Sequence, residues 1–176
     1  MTASPAEARA LALLEAWNRR DLATFEGLLA RDVSWYDPSM PHPPAVGREA
    51  VLAFCRAVLT AFPDFSYAIR GPVCASQDGQ SCVIPWRITA THMATLRPPG
   101  FAPTGQRIVL EGVDLVQLAG DLVGRIETYF DVFQAASQAL ALDLRPPPHS
   151  FHERLLVTAQ KLRAAWLRRR RVGQQS

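Results

Sequence analysis

No stretch of the sequence sustains the roughly 18–20 apolar residues that a membrane-crossing helix needs, so no transmembrane anchor is expected. The first residues show no basic segment followed by an apolar core, so no secretory signal is expected either, and the expected location is the cytoplasm. Cysteine is scarce. Cys55, Cys74 and Cys82 are an odd number without a CxxC spacing, which excludes a disulfide framework and a thiolate metal centre; they read as buried, reduced thiols. Metal-ligand spacings and phosphate-cradling glycine loops are missing, so neither a metal nor an organic cofactor is expected. Acids are almost missing from one region. Residues 145–176 carry eight Arg and Lys side chains against Glu153 alone, while the rest of the chain carries eleven bases against fifteen acids. The net charge of +3 therefore belongs to the tail. It does not make the remainder a specific nucleic-acid binder.

What is present suits one domain over residues 1–144 and a proline-broken basic amphipathic tail over 145–176. Ser4-Pro5-Ala6-Glu7 is a helix start, with a capping serine, a first-turn proline and a glutamate placed for a capping box. Leu11, Leu14 and Trp17 or Asn18 follow at helical steps. Asp21 begins a short second helix whose apolar face is Leu22, Phe25, Leu28 and Leu29. A strand over Val33–Asp37 leads into the proline-rich loop SMPHPPAVG. Gly47-Arg48-Glu49 opens a third helix with Val51, Leu52, Cys55, Val58, Leu59 and Phe62 at three- and four-residue steps. Strands are expected over 65–76, 81–93, 106–118 and 122–130, with turns at Ser76–Gly79 and Ala119–Asp121 and a loop over 97–105. Such an order predicts an α+β fold, with helices packed on one face of a curved antiparallel sheet. Residues 151–170 form a further helix, with Phe151, Leu155, Ala159, Leu162 and Trp166 on one stripe and a run of four arginines after it.

Strand side chains alternate between faces, so each strand can be sorted into an inner and an outer set. In 106–118 the set Ile108, Leu110, Gly112, Asp114, Val116 and Leu118 is apolar except for Asp114. In 81–93, His92 ends the row Cys82, Ile84, Trp86, Ile88 and Ala90. Thr128 lies in the apolar phase of 122–130, and Asp37 shares a face with Val33 and Trp35. The inward polar residues are then Asp37, His92, Asp114 and Thr128, walled by Trp35 and Trp86. A buried carboxylate is costly, so an inward Asp takes up a proton, finds donors or serves a site. Each has a plainer reading as well. An Asp before Pro is a common turn residue, a strand-end His is often a satisfied one, and Thr128 can be a packed, hydrogen-bonded threonine. Asp131 is out of phase with the inner set. With Gln134 three residues later, it reads as a helix N-cap.

The segments VSWYDPSMPHPPAVGREAVLAF, GPVCASQDGQ, PWRITA and GVDLVQL, in that order, resemble the ketosteroid isomerases and SnoaL-like polyketide cyclases of the nuclear transport factor 2-like superfamily, over about residues 8–142. The resemblance implies a cone, a strongly curved sheet closed by helices over an apolar pocket. It also implies a homodimer formed through the open sheet face. By this likeness Asp37 matches the base that moves a proton beside a ketone. Asp114 matches the acid kept neutral by apolar surroundings so that it can hydrogen-bond the developing enolate oxygen. Leu13 stands where the isomerases keep an oxyanion tyrosine, and Leu29 and Cys55 stand where they keep its supporting tyrosines. Thr128 and Asp114 stand where the cyclases keep an acid and a histidine, and Arg87-Ile88-Thr89 lacks the acid of the epoxide-hydrolase relatives.

The leading expectation is a cofactor-independent enzyme that isomerises or cyclises a small apolar carbonyl compound, polycyclic ones included, by proton transfer. Asp37 and Asp114 are its catalytic pair, His92 an auxiliary donor, and Trp17, Trp35, Phe54, Trp86 and Thr128 its pocket. The alternative is a non-catalytic domain that binds a ligand or dimerises. The tail is expected to touch an acidic surface: a membrane, a nucleic acid, or the acidic part of its own chain.

Overall fold

The computed structural model describes residues 3–141 and 146–172. The chain divides into two units, residues 1–142 and 143–176, and the expected boundary at 144/145 lies outside the described residues.

Helix α1 (Pro5–Asn18) begins as its sequence dictates. The Ser4 hydroxyl accepts from the Glu7 N–H at 3.2 Å, and the Glu7 carboxylate accepts from the Ser4 N–H at 3.3 Å. Two of the unpaired donors of a helix start are thereby satisfied. Its buried residues are Ala6, Ala10, Leu13, Ala16 and Trp17, whereas Leu11 and Leu14 are only half-buried. The helix is apolar on several sides, so periodicity did not single out the face; the small alanines allow close approach to the sheet. Asp21 caps α2 (Leu22–Gly27), accepting from the Thr24 N–H at 3.0 Å, and α2 buries Phe25.

Strand β1 (Leu29–Tyr36) starts four residues earlier than the sequence suggested and stops just before Asp37. Part of the proline-rich loop forms β2 (Ala45–Val46), and Gly47 (φ +85°) then turns the chain into α3 (Arg48–Ala61). The single strand expected over 65–76 is two, β3 (Ser66–Ile69) and β4 (Cys74–Ala75). Gly71-Pro72 separates them, since proline has no N–H to give a ladder. Then come β5 (Ser81–Thr91), β6 (Arg107–Ala119), β7 (Leu122–Phe130) and α4 (Val132–Leu140). Asp131 caps α4, accepting from the Gln134 N–H at 3.1 Å.

The strands form one curved, unclosed sheet in the order β2-β1-β7-β6-β5-β3, with β4 also on β5. Every ladder is antiparallel except β1–β7, which is parallel. The antiparallel expectation thus holds for the meander and fails at β1, which runs parallel to β7. Burial follows alternation closely in β5, where every second residue from Cys82 is buried. Gly112 faces Trp86 across β5–β6, and a Cβ there would meet Trp86 ring atoms at 2.5 and 2.6 Å and the Tyr129 carbonyl oxygen at 2.4 Å. Only glycine leaves room for that indole. Of the cysteines, Cys55 and Cys82 are buried but Cys74, on β4, is exposed.

The second unit contains α5 (Phe151–Val172). Ser150 starts it, its hydroxyl accepting from the Glu153 N–H at 3.1 Å, while Glu153 accepts from the His149 N–H.

Candidate active site

Asp114 lies on β6, opposite Ile84 of β5 on one side and Thr128 of β7 on the other. Both oxygens of its carboxyl are engaged. The Tyr67 hydroxyl donates to Oδ2 at 2.8 Å, and the Thr128 hydroxyl donates to Oδ1 at 2.8 Å. Thr128 Oγ1 in turn accepts from the Trp35 indole N–H at 2.9 Å. Four residues from four strands make one chain, Trp35 to Thr128 to Asp114 and from Asp114 to Tyr67. All the protons point toward the carboxyl, which is the pattern of a carboxylate acting as acceptor.

Burial pushes the Asp114 carboxyl up to about 6, against the donors Tyr67 and Thr128, which favour its anion. Trp86 also favours the anion, although its buried indole N–H makes no hydrogen bond of ordinary geometry among the described residues. The charge of Asp37 adds to the upward shift. Asp114 is only partly buried by surface area because it borders a cavity; the cavity is too small to hold bulk water, so the carboxyl still titrates as a buried one. Burial and the neighbouring Asp114 charge hold the Tyr67 hydroxyl well above the ordinary tyrosine range, so Tyr67 stays a neutral donor.

The cavity measures about 30 Å³, and its wall includes Leu13 and Trp17 from α1, Trp35, Tyr67, Ile84 and Asp114. That volume is about the share of one water in the liquid, far below the ~300–1,000 Å³ of a typical ligand pocket. A polycyclic compound does not fit it as it stands. The wall is apolar apart from Asp114, Tyr67 and the indole nitrogens. Trp17 is buried, packs edge-on against Trp35 with ring centroids 5.9 Å apart, and its N–H has no partner among the described residues.

The other expected site residues take different places. Asp37 is 7 % exposed, and its Oδ1 accepts from both the Ser39 N–H at 2.8 Å and the Ser39 hydroxyl at 2.6 Å. It forms the turn after β1 and is close enough to Asp114 for their charges to interact, but it is not in the cavity wall. Burial raises its carboxyl despite the Ser39 donors. Phe54 stands behind Trp35, edge-on at 5.5 Å, and Trp86 stands behind Tyr67 at 5.4 Å. Thr128 reaches the site through Asp114 rather than lining the cavity.

His92 is the residue the structure does not bring in. Asp114 faces Ile84, and His92 lies eight residues further along β5, about 26 Å at ~3.3 Å per residue in a straight strand. There it is buried, stacks on Phe62 at 5.0 Å, and donates from Nδ1 to the Ala139 carbonyl at 3.0 Å. Thr104 donates to the same carbonyl at 2.7 Å, so the pair fastens the last turn of α4. Alternation gave His92 the correct face, but a face does not give a position along the strand.

Tyr67 is the residue that sequence reasoning missed. Phe65 and Tyr67 share a phase, so the alternation test, applied to 65–69, would have turned both inward. Its backbone is fixed from α1: the Asn18 side chain accepts from the Tyr67 N–H at 2.8 Å and donates to the Tyr67 carbonyl at 2.9 Å. Leu13, at the position matched to an oxyanion tyrosine, is in the cavity wall, while Leu29 and Cys55 are core residues.

A curved sheet and helices enclosing a buried carboxyl define an α+β protein of the nuclear transport factor 2-like class. The profile of the SnoaL-like domain matches residues 10–136, and the chain belongs to that family. No curated protein sequence matches it. Among solved structures it is similar to a candidate polyketide cyclase from Xanthomonas campestris pv. campestris, with a TM-score of 0.65, 22 % identity, and 76 % of this chain and 96 % of that one covered. It is similar to AclR, a candidate hydroxylase from Streptomyces galilaeus, with a TM-score of 0.63, 22 % identity, and 77 % and 95 % covered. A computationally designed 17-OHP binder is also similar, with a TM-score of 0.60, 18 % identity, and 74 % and 94 % covered. At these identities the likeness is one of fold.

Proposed function

We propose that this domain is a cofactor-independent enzyme that transfers a proton beside the carbonyl of a small apolar cyclic compound, leading to isomerisation or ring closure. The supporting observation is Asp114: a carboxyl raised to about 6, held by donors on both oxygens, and bordering an apolar cavity. A general base works best when its pKa lies near the working pH. Above about pH 6 the carboxylate form of Asp114 prevails and takes a proton from the carbon next to the carbonyl. The C–H electron pair moves to the carbonyl oxygen as an enolate. Either the proton returns from Asp114 to another carbon, giving an isomer, or the enolate carbon attacks a second carbonyl of the same molecule and closes a ring. In the second case the new alkoxide regains the proton. The Trp17 N–H serves as donor to the enolate oxygen.

This division differs from the one the resemblance implies, in which Asp37 is the base and Asp114 a neutral donor. Hydrogen bonds run toward Asp114, and Ser39 occupies one oxygen of Asp37. Asp37 is instead assigned to raising Asp114 by its charge. A ring compound needs more room than the cavity offers, so this reading requires Leu13 and Leu14, the α1 leucines in its wall, to move aside.

The test is hydrogen–deuterium exchange. Cyclohexenones and cyclic 1,3-diketones are incubated with the protein in D₂O, and loss of the proton beside the carbonyl is followed by NMR. The wild type should exceed buffer, and Asp114→Asn should lower the enzymatic rate at least about 100-fold. Exchange by Asp114→Asn at the wild-type rate would overturn the assignment, and exchange lost instead in Asp37→Asn alone would return the base to Asp37.

A further inference from the structure

We infer that α5 is an interfacial helix that lies along an anionic lipid surface. Phe151, Leu155, Leu162 and Trp166 follow one another at steps of four, seven and four residues, so they lie on one stripe of the helix. That stripe faces solvent: Phe151 is 76 % exposed and Leu162 69 %. Leu155 and Leu156 are exposed as well, as is Leu167. For a helix, this much aliphatic and aromatic surface in water is unusual and marks a contact surface.

Four of the basic residues of α5 lie beside the stripe. Arg154, Lys161 and Arg168 recur every seven residues and form a second stripe along one flank of the first. Arg163 lies on the other flank, its guanidinium over the Trp166 ring at 4.5 Å. Glu153 is the only acid in the helix and sits in its first turn, where it completes the start. An apolar stripe with a basic row along one flank and Arg163 on the other suits a helix lying in the headgroup plane. The Leu and Phe side chains enter the acyl boundary while the Arg and Lys stems reach back to the phosphates. The helix has 22 residues but is too polar to cross a bilayer; no helix among the described residues is long and apolar enough to do so.

The chemistry separates this partner from the other acidic ones. Phosphates of a polynucleotide would satisfy the arginines but leave Phe151, Leu155 and Leu162 in water, and these residues add nothing to counterion release. A second copy of α5 would cover the apolar stripe but bring its cationic borders together. An anionic bilayer satisfies both stripes at once, each basic residue near its surface adding to the attraction.

The full chain should co-sediment with phosphatidylcholine vesicles carrying about 30 % phosphatidylglycerol at least about tenfold more than with pure phosphatidylcholine vesicles. Leu155→Gln/Leu162→Gln should abolish most of that partition with the charge unchanged. Arg154→Gln/Lys161→Gln/Arg168→Gln should reduce it and weaken its dependence on salt, five of the eight basic residues of the tail remaining. Both sets lie on exposed positions of α5, and circular dichroism of each variant confirms that the helix persists. Three results would each overturn the inference. They are no binding to phosphatidylglycerol vesicles, full binding by the Leu155/Leu162 variant, and equal retention of the wild type and the Leu155/Leu162 variant on duplex DNA at affinities above those for vesicles. A dimer that breaks with Leu155→Gln/Leu162→Gln, in the absence of lipid binding, would assign the stripe to a second copy.

Discussion

The Tyr67 hydroxyl and the Asp114 carboxyl meet at 2.8 Å, one from the sheet-edge strand β3 and the other from the sheet centre. The bond sets both groups. It favours the Asp114 anion, and that anion in turn keeps the tyrosine proton in place. Tyr67→Phe should therefore raise the Asp114 titration midpoint above its wild-type value near 6, as read from the carboxyl carbon by NMR. A hydrogen bond to a charged group contributes about 1.5–3 kcal/mol, so a smaller ionised fraction of Asp114 near pH 7 should lower exchange activity by about two- to fifteenfold. A midpoint that stays or drops would show that Tyr67 does not support the anion.

Thr128 works as a two-way link, accepting from Trp35 and donating to Asp114. Thr128→Val keeps its shape but strands the Trp35 N–H and one Asp114 oxygen. Urea unfolding should show a loss of about 1–3 kcal/mol. Thr128→Ser keeps the hydroxyl and should restore most of it. Equal stability of the Val and Ser variants would mean that packing, not the link, explains this residue.

The contribution of Asp114 to stability should fall as pH rises from about 4 to about 6. The folded Asp114 value, about 6, lies above the ordinary 3.8, so the folded protein holds the proton more tightly than the unfolded chain. That contribution is fully present below about pH 3.8 and is lost as pH passes through the folded value. The expected change is on the order of 2–3 kcal/mol. Asp37 shifts in the same direction, so the comparison needs Asp114→Asn beside the wild type. Between pH 4 and pH 7.5 the variant should lose less stability than the wild type by about this amount. Parallel curves would contradict a raised Asp114.

Trp17 gives a prediction that separates packing from chemistry. Its buried N–H has no partner among the described residues, so Trp17→Phe removes a donor that contributes nothing to the fold. Because the indole packs on Phe25, Trp35 and Phe65, deleting part of it should cost about 1–3 kcal/mol of stability. Ketone exchange by the folded variant should fall by about tenfold or more, because the enolate oxygen loses its donor. A large loss of stability with unchanged exchange would make Trp17 a packing residue.

Local rules carried the sequence a long way. Ser4 and Asp131 act as caps because a capping oxygen and its backbone donor lie within three residues of each other. Alternation placed Asp114, Thr128, His92 and Trp86 on the inner face because a strand's pleat has a period of two, whatever it packs against. The α1 face and the break at Gly71-Pro72 were less legible. An all-round apolar helix has no preferred side until a sheet covers it, and a short strand cannot be told from its connecting loop by pattern.

What the sequence alone determined was the inward facing of Asp37, His92, Asp114 and Thr128, the family likeness and the charge division between domain and tail. The tertiary structure decided which of those residues meet. Register across β5, β6 and β7 brings Asp114 to Thr128 and carries His92 to the far end. Tyr67 reaches Asp114 from a sequence distance of 47 residues, because Asn18 fixes β3 against the end of α1. Which long-range partners meet depends on strand register and helix docking, and the ordering of so many chain segments leaves no local trace.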